Sequence, residues 1–249
     1  MLISRLRPLL GTFVAVEVET GESQDATAAV EAAYFAVGEV DRLMHPTRSG
    51  SDIARISAAS PGTSIQAHPW TMAVLALARK LNEDSSGAFD PCLPEKPGRM
   101  RDLVMSDGRV TSRVQTTIDL GGIAKGFAVD RAVDELIRLG VVSGLVNAGG
   151  DLRVFGTVPR IVQVRTADGG SFEVELRQTA LAASGQTSDS PAEHRGFYDG
   201  VSGARVESRA VTISASTTAL ADALCKCALL CEPELLRRML EKHGARQIL

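Results

Sequence analysis

The residues of this chain best placed to do chemistry lie in one stretch, Ile118-Asp119-Leu120-Gly121-Gly122-Ile123-Ala124-Lys125-Gly126-Phe127-Ala128-Val129-Asp130. It reads as the end of a strand, a glycine turn and the first turn of a helix. A second strand then runs into Asn147-Ala148-Gly149-Gly150-Asp151. Glycine lets the backbone reach positive φ and lets a ligand approach closely, while a helix N-terminus offers unpaired N–H groups and a partial positive charge. A phosphate-bearing ligand is therefore expected at this turn. Further on, Asp222 stands in an apolar helical stretch with Lys226 four residues later, a spacing at which acid and base meet on one helix face.

The elements that must position these residues follow from periodicity. Gly11 to Glu19 alternates apolar and polar residues and predicts a strand. Val30, Ala33, Tyr34, Val37, Val40 and Met44 fall at helical spacing, and His45-Pro46 ends that helix. Ser51 or Asp52 caps a short helix, and His68-Pro69-Trp70 opens another that runs from about Trp70 to Glu83, with the proline near its first turn. Cys92 to Thr117 reads as a short excursion with a hairpin at Asp107-Gly108. The helix from Gly126 to Leu139 carries an apolar stripe and stops at Gly140. Strands are expected at 143–146, 152–155, 161–165, 172–176, 180–183 and 211–215, then helices at 217–230 and 233–243 and a strand at 246–249. Strands and helices mixed without strict βαβ alternation indicate an α+β fold.

Composition sets limits. The 249 residues are 44% hydrophobic and 23% charged, which suits an ordinary globular chain long enough for one large domain or two small ones. A net charge of -3 gives no basic field, which argues against nucleic acid as a partner. No apolar run is long enough to span a bilayer. Residues Met1 to Leu10 have no apolar stretch followed by a small-residue cleavage site, so the sequence as written reads as cytoplasmic. Cys92, Cys225, Cys227 and Cys231 do not form a disulfide framework. Cys227 and Cys231 share a helix face with Leu220, Ala223 and Leu224, which favours core packing over a soft-metal site.

Several segments, in order, resemble the ApbE family, the FAD:protein FMN transferases. They are Met44 after its helix, Ser51-Asp52-Ile53, Ser86-Gly87-Ala88-Phe89-Asp90-Pro91, Asp119 to Gly126, Asn147 to Asp151, Ser184-Gly185 and Leu220-Ala221-Asp222-Ala223-Leu224. The resemblance covers nearly the whole chain, read as a single flavin transferase domain over 1–249. It implies an α+β fold with a tandem-repeat, barrel-like core of the T-fold kind and flanking helices. It further implies a magnesium-assisted enzyme that cleaves FAD and attaches FMN through a phosphoester to a threonine or serine of a flavin-accepting target protein. By motif position it assigns the Gly122 carbonyl and the Asp222 carboxylate to the metal, and Met44, Asp119 and Lys125 to FAD. Asp151 suits hydrogen bonds from ligand amino or hydroxyl groups, Thr212 is a further carry-over to the cofactor, and His194 or Asp199 is the candidate for proton removal.

Each of these residues also has a purely structural reading. Met44 closes the core face of its helix, Asp222 can simply pair with Lys226, and Lys125 can be a solvated side chain. The chain also departs from the family pattern. Lys226 stands where the family usually carries a threonine that completes the metal site, which predicts weakened metal binding. Gly196 stands at the family's histidine position, before the turn Asp199-Gly200-Val201-Ser202-Gly203, leaving His194 as the nearby substitute. The segment from Cys92 to Thr117 is shorter than usual, and these departures leave two alternatives open: a flavin-binding or carrier protein of the same fold that has lost transfer, or an ApbE-like fold adapted to another ligand or a scaffolding role.

Overall fold

The computed structural model describes residues 2–19, 26–166, 168–185, 197–207 and 209–249. The first strands are β1 (Leu2–Leu9) and β2 (Thr12–Glu19), paired antiparallel. In β2 the alternation buries Val14, Val16 and Val18 on one face. β1 has no such alternation and is not expected from the sequence. It is an edge strand, which is why Pro8 and the basic residues Arg5 and Arg7 are tolerated in it.

Helix α1 (Thr27–Met44) buries Val30, Ala33, Tyr34, Val37, Val40 and Met44, and ends where His45 turns extended before Pro46. Helix α2 (Asp52–Ala58) is capped by the Ser51 hydroxyl, which accepts from the Ala54 N–H at 3.0 Å. After β3 (Ser64–Gln66) comes α3 (Pro69–Asp84), with proline in its first turn as expected. β4 (Leu103–Ser106) and β5 (Arg109–Ser112) form the hairpin at Asp107-Gly108, and β3 adds to it as a third strand.

Helix α4 (Ala124–Arg138) follows the glycine turn. Then come β6 (Ser143–Ala148), β7 (Asp151–Phe155), β8 (Arg160–Arg165), β9 (Ser171–Leu176) and β10 (Ala180–Ser184). β11 (Phe197–Tyr198), β12 (Arg205–Val206) and β13 (Val211–Ala215) precede α5 (Thr218–Leu230), α6 (Pro233–His243) and β14 (Arg246–Gln247).

Among the described residues the main sheet has seven strands in the order β1-β2-β6-β7-β10-β13-β14. All neighbours in it run antiparallel. Its central strands are buried on both faces. Val146 faces the large core built with α1, α4 and α5, whereas Leu145, Leu152, Val154 and Leu181 face Val164 and Leu176 of the β8–β9 hairpin. The α+β class is thus observed. A barrel would require β1 and β14 to hydrogen-bond each other; they are instead the two edges, and no closed barrel forms among the described residues.

Candidate active site

The glycine turn is held by its own polar groups. The Asp119 N–H donates to the Pro91 carbonyl at 2.9 Å, and Asp119 Oδ1 accepts from the Gly121 N–H at 2.7 Å. Ile118 makes only an isolated bridge to Cys92, so the expected strand end is a single pair. Gly126 then allows α4 to press against the start of α5. A Cβ there would lie 2.4 Å from the Thr218 carbonyl oxygen, a distance no side chain tolerates.

This close crossing brings Asp222 of α5 under the first turn of α4. Its Oδ2 accepts from the Gly126 N–H at 3.2 Å, and its Oδ1 lies 2.5 Å from Lys226 Nζ. The carboxylate is fully buried and the lysine side chain only 8% exposed. Burial works to raise the Asp222 pKa, but Lys226, then Lys125, then the two hydrogen bonds hold it below the ordinary carboxylate range. For Lys226, burial works to lower the pKa, but the Asp222 charge, Cys225 and the hydrogen bond to Asp222 together outweigh it, so the ammonium is held. The Lys226 stem lies over Gly122, where a Cβ would sit 3.3 Å from its Cγ, and the Phe197 ring centroid is 5.6 Å from its Nζ.

Lys125, in the same first turn, pairs with Asp151. Asp151 opens β7 because Gly149 and Gly150, at φ 62° and 102°, close a two-residue hairpin that only glycine enters easily. The Asn147 side chain secures that turn by accepting from the Gly150 N–H at 2.9 Å. Asp151 is fully buried, and its Oδ1 has no hydrogen-bond partner among the described residues. Leaving such an oxygen unpaired is costly, so it is open to a hydrogen bond from water or from a ligand. Lys125 is 29% exposed, and burial lowers the pKa of its ammonium.

The structure thus brings Asp222, Gly122, Lys125 and Asp151 together. It places Met44 in the core at the end of α1, and Asp119 in the turn itself. Thr212 is buried on β13, where its backbone pairs with Ile248 and Leu249. No hydrogen bond among the described residues links Thr212 to the lysine–aspartate cluster. His194 and Gly196 lie outside the described residues. The Asp199 carboxylate is taken up by the N–H groups of Val201 and Ser202, at 2.8 and 2.7 Å.

Two contributors are not apparent from the sequence. Asp130 of α4 accepts the N–H groups of Thr218 and Ala219, both at 2.9 Å, and pairs with Arg153 at 3.0 Å. Its signal was an acid on the buried face of an amphipathic helix, which needs partners. A cleft of about 330 Å³ is lined by Asn82, Ser86, Asp90, Arg99, Arg101 and Val201 among others, so the Ser86–Pro91 segment borders two guanidinium groups. Gly200 lines this cleft and packs tightly against the Ser86–Pro91 segment. Its N–H donates to the Ala88 carbonyl at 2.9 Å, and a Cβ on Gly200 would lie 2.3 Å from the Gly87 carbonyl oxygen.

As arranged, these groups do not fit magnesium. That ion demands near-octahedral oxygen ligation at about 2.0–2.1 Å, while Asp222 already has one oxygen on an ammonium and the other on a backbone N–H. Nor does any group of three or more His, Cys, Asp or Glu among the described residues gather to hold a metal.

An open antiparallel sheet, helices on one face and a buried lysine–aspartate cluster at a glycine turn define an α+β protein with a site suited to an anionic ligand. The sequence model of the ApbE family matches residues 10–96 and 95–249, and the chain belongs to that family. It is 28% identical over 179 residues to a FAD:protein FMN transferase of Rhodobacter capsulatus, a match spanning 59% of this chain and 34% of that protein. The chain therefore aligns with about a third of that curated relative's length. Its fold matches the flavinyl transferase ApbE of Pseudomonas stutzeri in its apo form, at TM-score 0.85 and 24% identity, over 99% of this chain and 90% of the other. A mutant of the flavin transferase ApbE from Vibrio cholerae matches at TM-score 0.87 and 19% identity, over 99% and 92%.

Proposed function

We propose that this chain, acting as one flavin transferase domain, cleaves FAD and transfers FMN to a threonine or serine hydroxyl of a target protein. The observation that carries the reading is the pairing of Lys125 with Asp151, whose second oxygen is buried and unpartnered, at the glycine turn where the family resemblance locates FAD. Lys125 supplies an ammonium to phosphate oxygens, and the free Asp151 oxygen accepts a ligand N–H or O–H. The target hydroxyl oxygen attacks the FMN phosphorus in line, forming the phosphoester as the bond to the bridging oxygen breaks. AMP departs with that electron pair, and His194 takes the hydroxyl proton. Asp222 reaches the reaction through Lys226 and the α4 backbone, which makes it a positioning residue.

The test mixes the purified protein with FAD and a flavin-accepting test protein, and reads added FMN and released AMP by mass spectrometry. FMN on the acceptor that disappears in Lys125→Ala, with circular dichroism unchanged, supports the reading. Bound FAD with neither product reduces the protein to a flavin binder, and failure to bind FAD removes the ligand assignment.

A further inference from the structure

We propose that the Lys226 ammonium is the resident cation of this site, standing in place of a divalent ion. The inference rests on the flavin-transferase reading for its chemical consequence, but not for its structural test. The i,i+4 spacing on α5 stacks Lys226 over Asp222, and Nζ sits 2.5 Å from Oδ1. The other carboxylate oxygen is committed to the Gly126 N–H at 3.2 Å. The lysine stem covers Gly122, the residue whose carbonyl would be the second metal ligand, and Phe197 closes over the ammonium. A divalent ion could reach Asp222 only by displacing the Lys226 ammonium, which would leave that buried ammonium without its counter-charge. Such an uncompensated buried charge is strongly disfavoured.

One ammonium carries half the charge of magnesium, so its pull on a phosphoryl oxygen at equal distance is half as large. Lys125 stands in the same first turn, so two ammonium groups lie at the start of α4, each beside its own buried carboxylate, Asp151 and Asp222. Phosphate charge would then be met by two fixed side chains, with no ion to recruit from solution.

Titration of the intact protein with Mn2+, read by the loss of the free-ion electron paramagnetic resonance signal, tests the cation directly. The unaltered protein is expected to take up no stoichiometric Mn2+, whereas Lys226→Thr gains one site per chain. FMN transfer by the unaltered protein is expected to be equal in EDTA and in Mg2+; in Lys226→Thr it falls about tenfold or more in EDTA and recovers with Mg2+. One Mn2+ per unaltered chain, lost in Asp222→Asn, would overturn the proposal, as would transfer by the unaltered protein that EDTA abolishes. Should no flavin transfer occur in either buffer, the transferase reading fails, while the Mn2+ titration still decides the identity of the cation. Lys226→Gln, which keeps the volume of the side chain, serves if the threonine variant does not fold.

Discussion

Asp130 and Asp222 each cap the helix that carries the other. Asp130 projects from α4 and accepts two N–H groups at the start of α5, and Asp222 projects from α5 and accepts the Gly126 N–H in the first turn of α4. Helix starts leave N–H groups without intrahelical partners, and here each helix supplies the acceptor for its neighbour. The two helices therefore hold the candidate site as one piece.

Asp130→Ala is expected to lower stability by about 1–3 kcal/mol, since it orphans two buried N–H groups. A urea midpoint equal to that of the unaltered protein would refute the capping role.

At Gly126 the expectation concerns packing. Gly126→Ala puts a methyl group against the Thr218 carbonyl, and the α4–α5 crossing must open to admit it. Overpacking of this kind costs roughly 1–3 kcal/mol. Thermal unfolding should show that loss, together with weaker FMN transfer as Lys125 moves relative to Asp222; a variant with full stability would mean the crossing is looser than described.

The Lys226–Asp222 pair sets a pH window. Asp222 has a folded pKa below its ordinary 3.8, so its contribution is present above that value and is lost as pH falls through the lowered one. Lys226 has a folded pKa above its ordinary 10.5, so its contribution is present below that value and is lost as pH rises through the raised one. Lys226→Met should cost about 3–5 kcal/mol by stranding a buried carboxylate. Adding Asp222→Leu should recover part of that loss. Stability of the double variant relative to the unaltered protein, followed by urea unfolding across pH, should differ by a constant amount between the two ordinary values; a steady slope through neutral pH would contradict the pairing.

Asp151→Asn keeps the volume but replaces one acceptor oxygen with a donor. FAD binding, followed by quenching of flavin fluorescence, is expected to weaken about tenfold, in line with a lost charge-assisted hydrogen bond of roughly 1.5–3 kcal/mol. Unchanged affinity would place the ligand elsewhere.

The thiols should differ in reactivity. Cys92, Cys225 and Cys227 are buried, and burial pushes Cys225 up to about 12. Cys231 is half-buried, and its hydrogen bond with Cys227 lowers its pKa. An aromatic disulfide reagent added to the native protein should modify Cys231 first. Rapid loss of all four thiols would mean that α5 is not packed as described.

Much of the frame was legible because burial in this fold is periodic. Val14, Val16 and Val18 mark β2, and the stripe of α1 from Val30 to Met44 marks a helix, since each element packs one face on the common core. β1 escaped because an edge strand exposes both faces and needs no alternation. β3 escaped because its three residues are too few to show one. Within the site, Asp222 with Lys226 and the glycine turn could be read from spacing. The Lys125–Asp151 pair could not, because it depends on a hairpin folding Asp151 back onto α4. The glycines at 149 and 150 looked suited to ligand approach, and the structure uses them to make that hairpin. The partner of His243 is equally invisible to periodicity: at the end of α6 its side chain is buried against Asp84 at 2.7 Å, far away in sequence.

The seam between Gly200 and the Gly87–Ala88 carbonyls has a consequence for how this chain can vary. The hydrogen bond across it runs from main chain to main chain, so it asks nothing of the side chain at Ala88. Gly200 itself has no such latitude, since even one added methyl group would part the two segments.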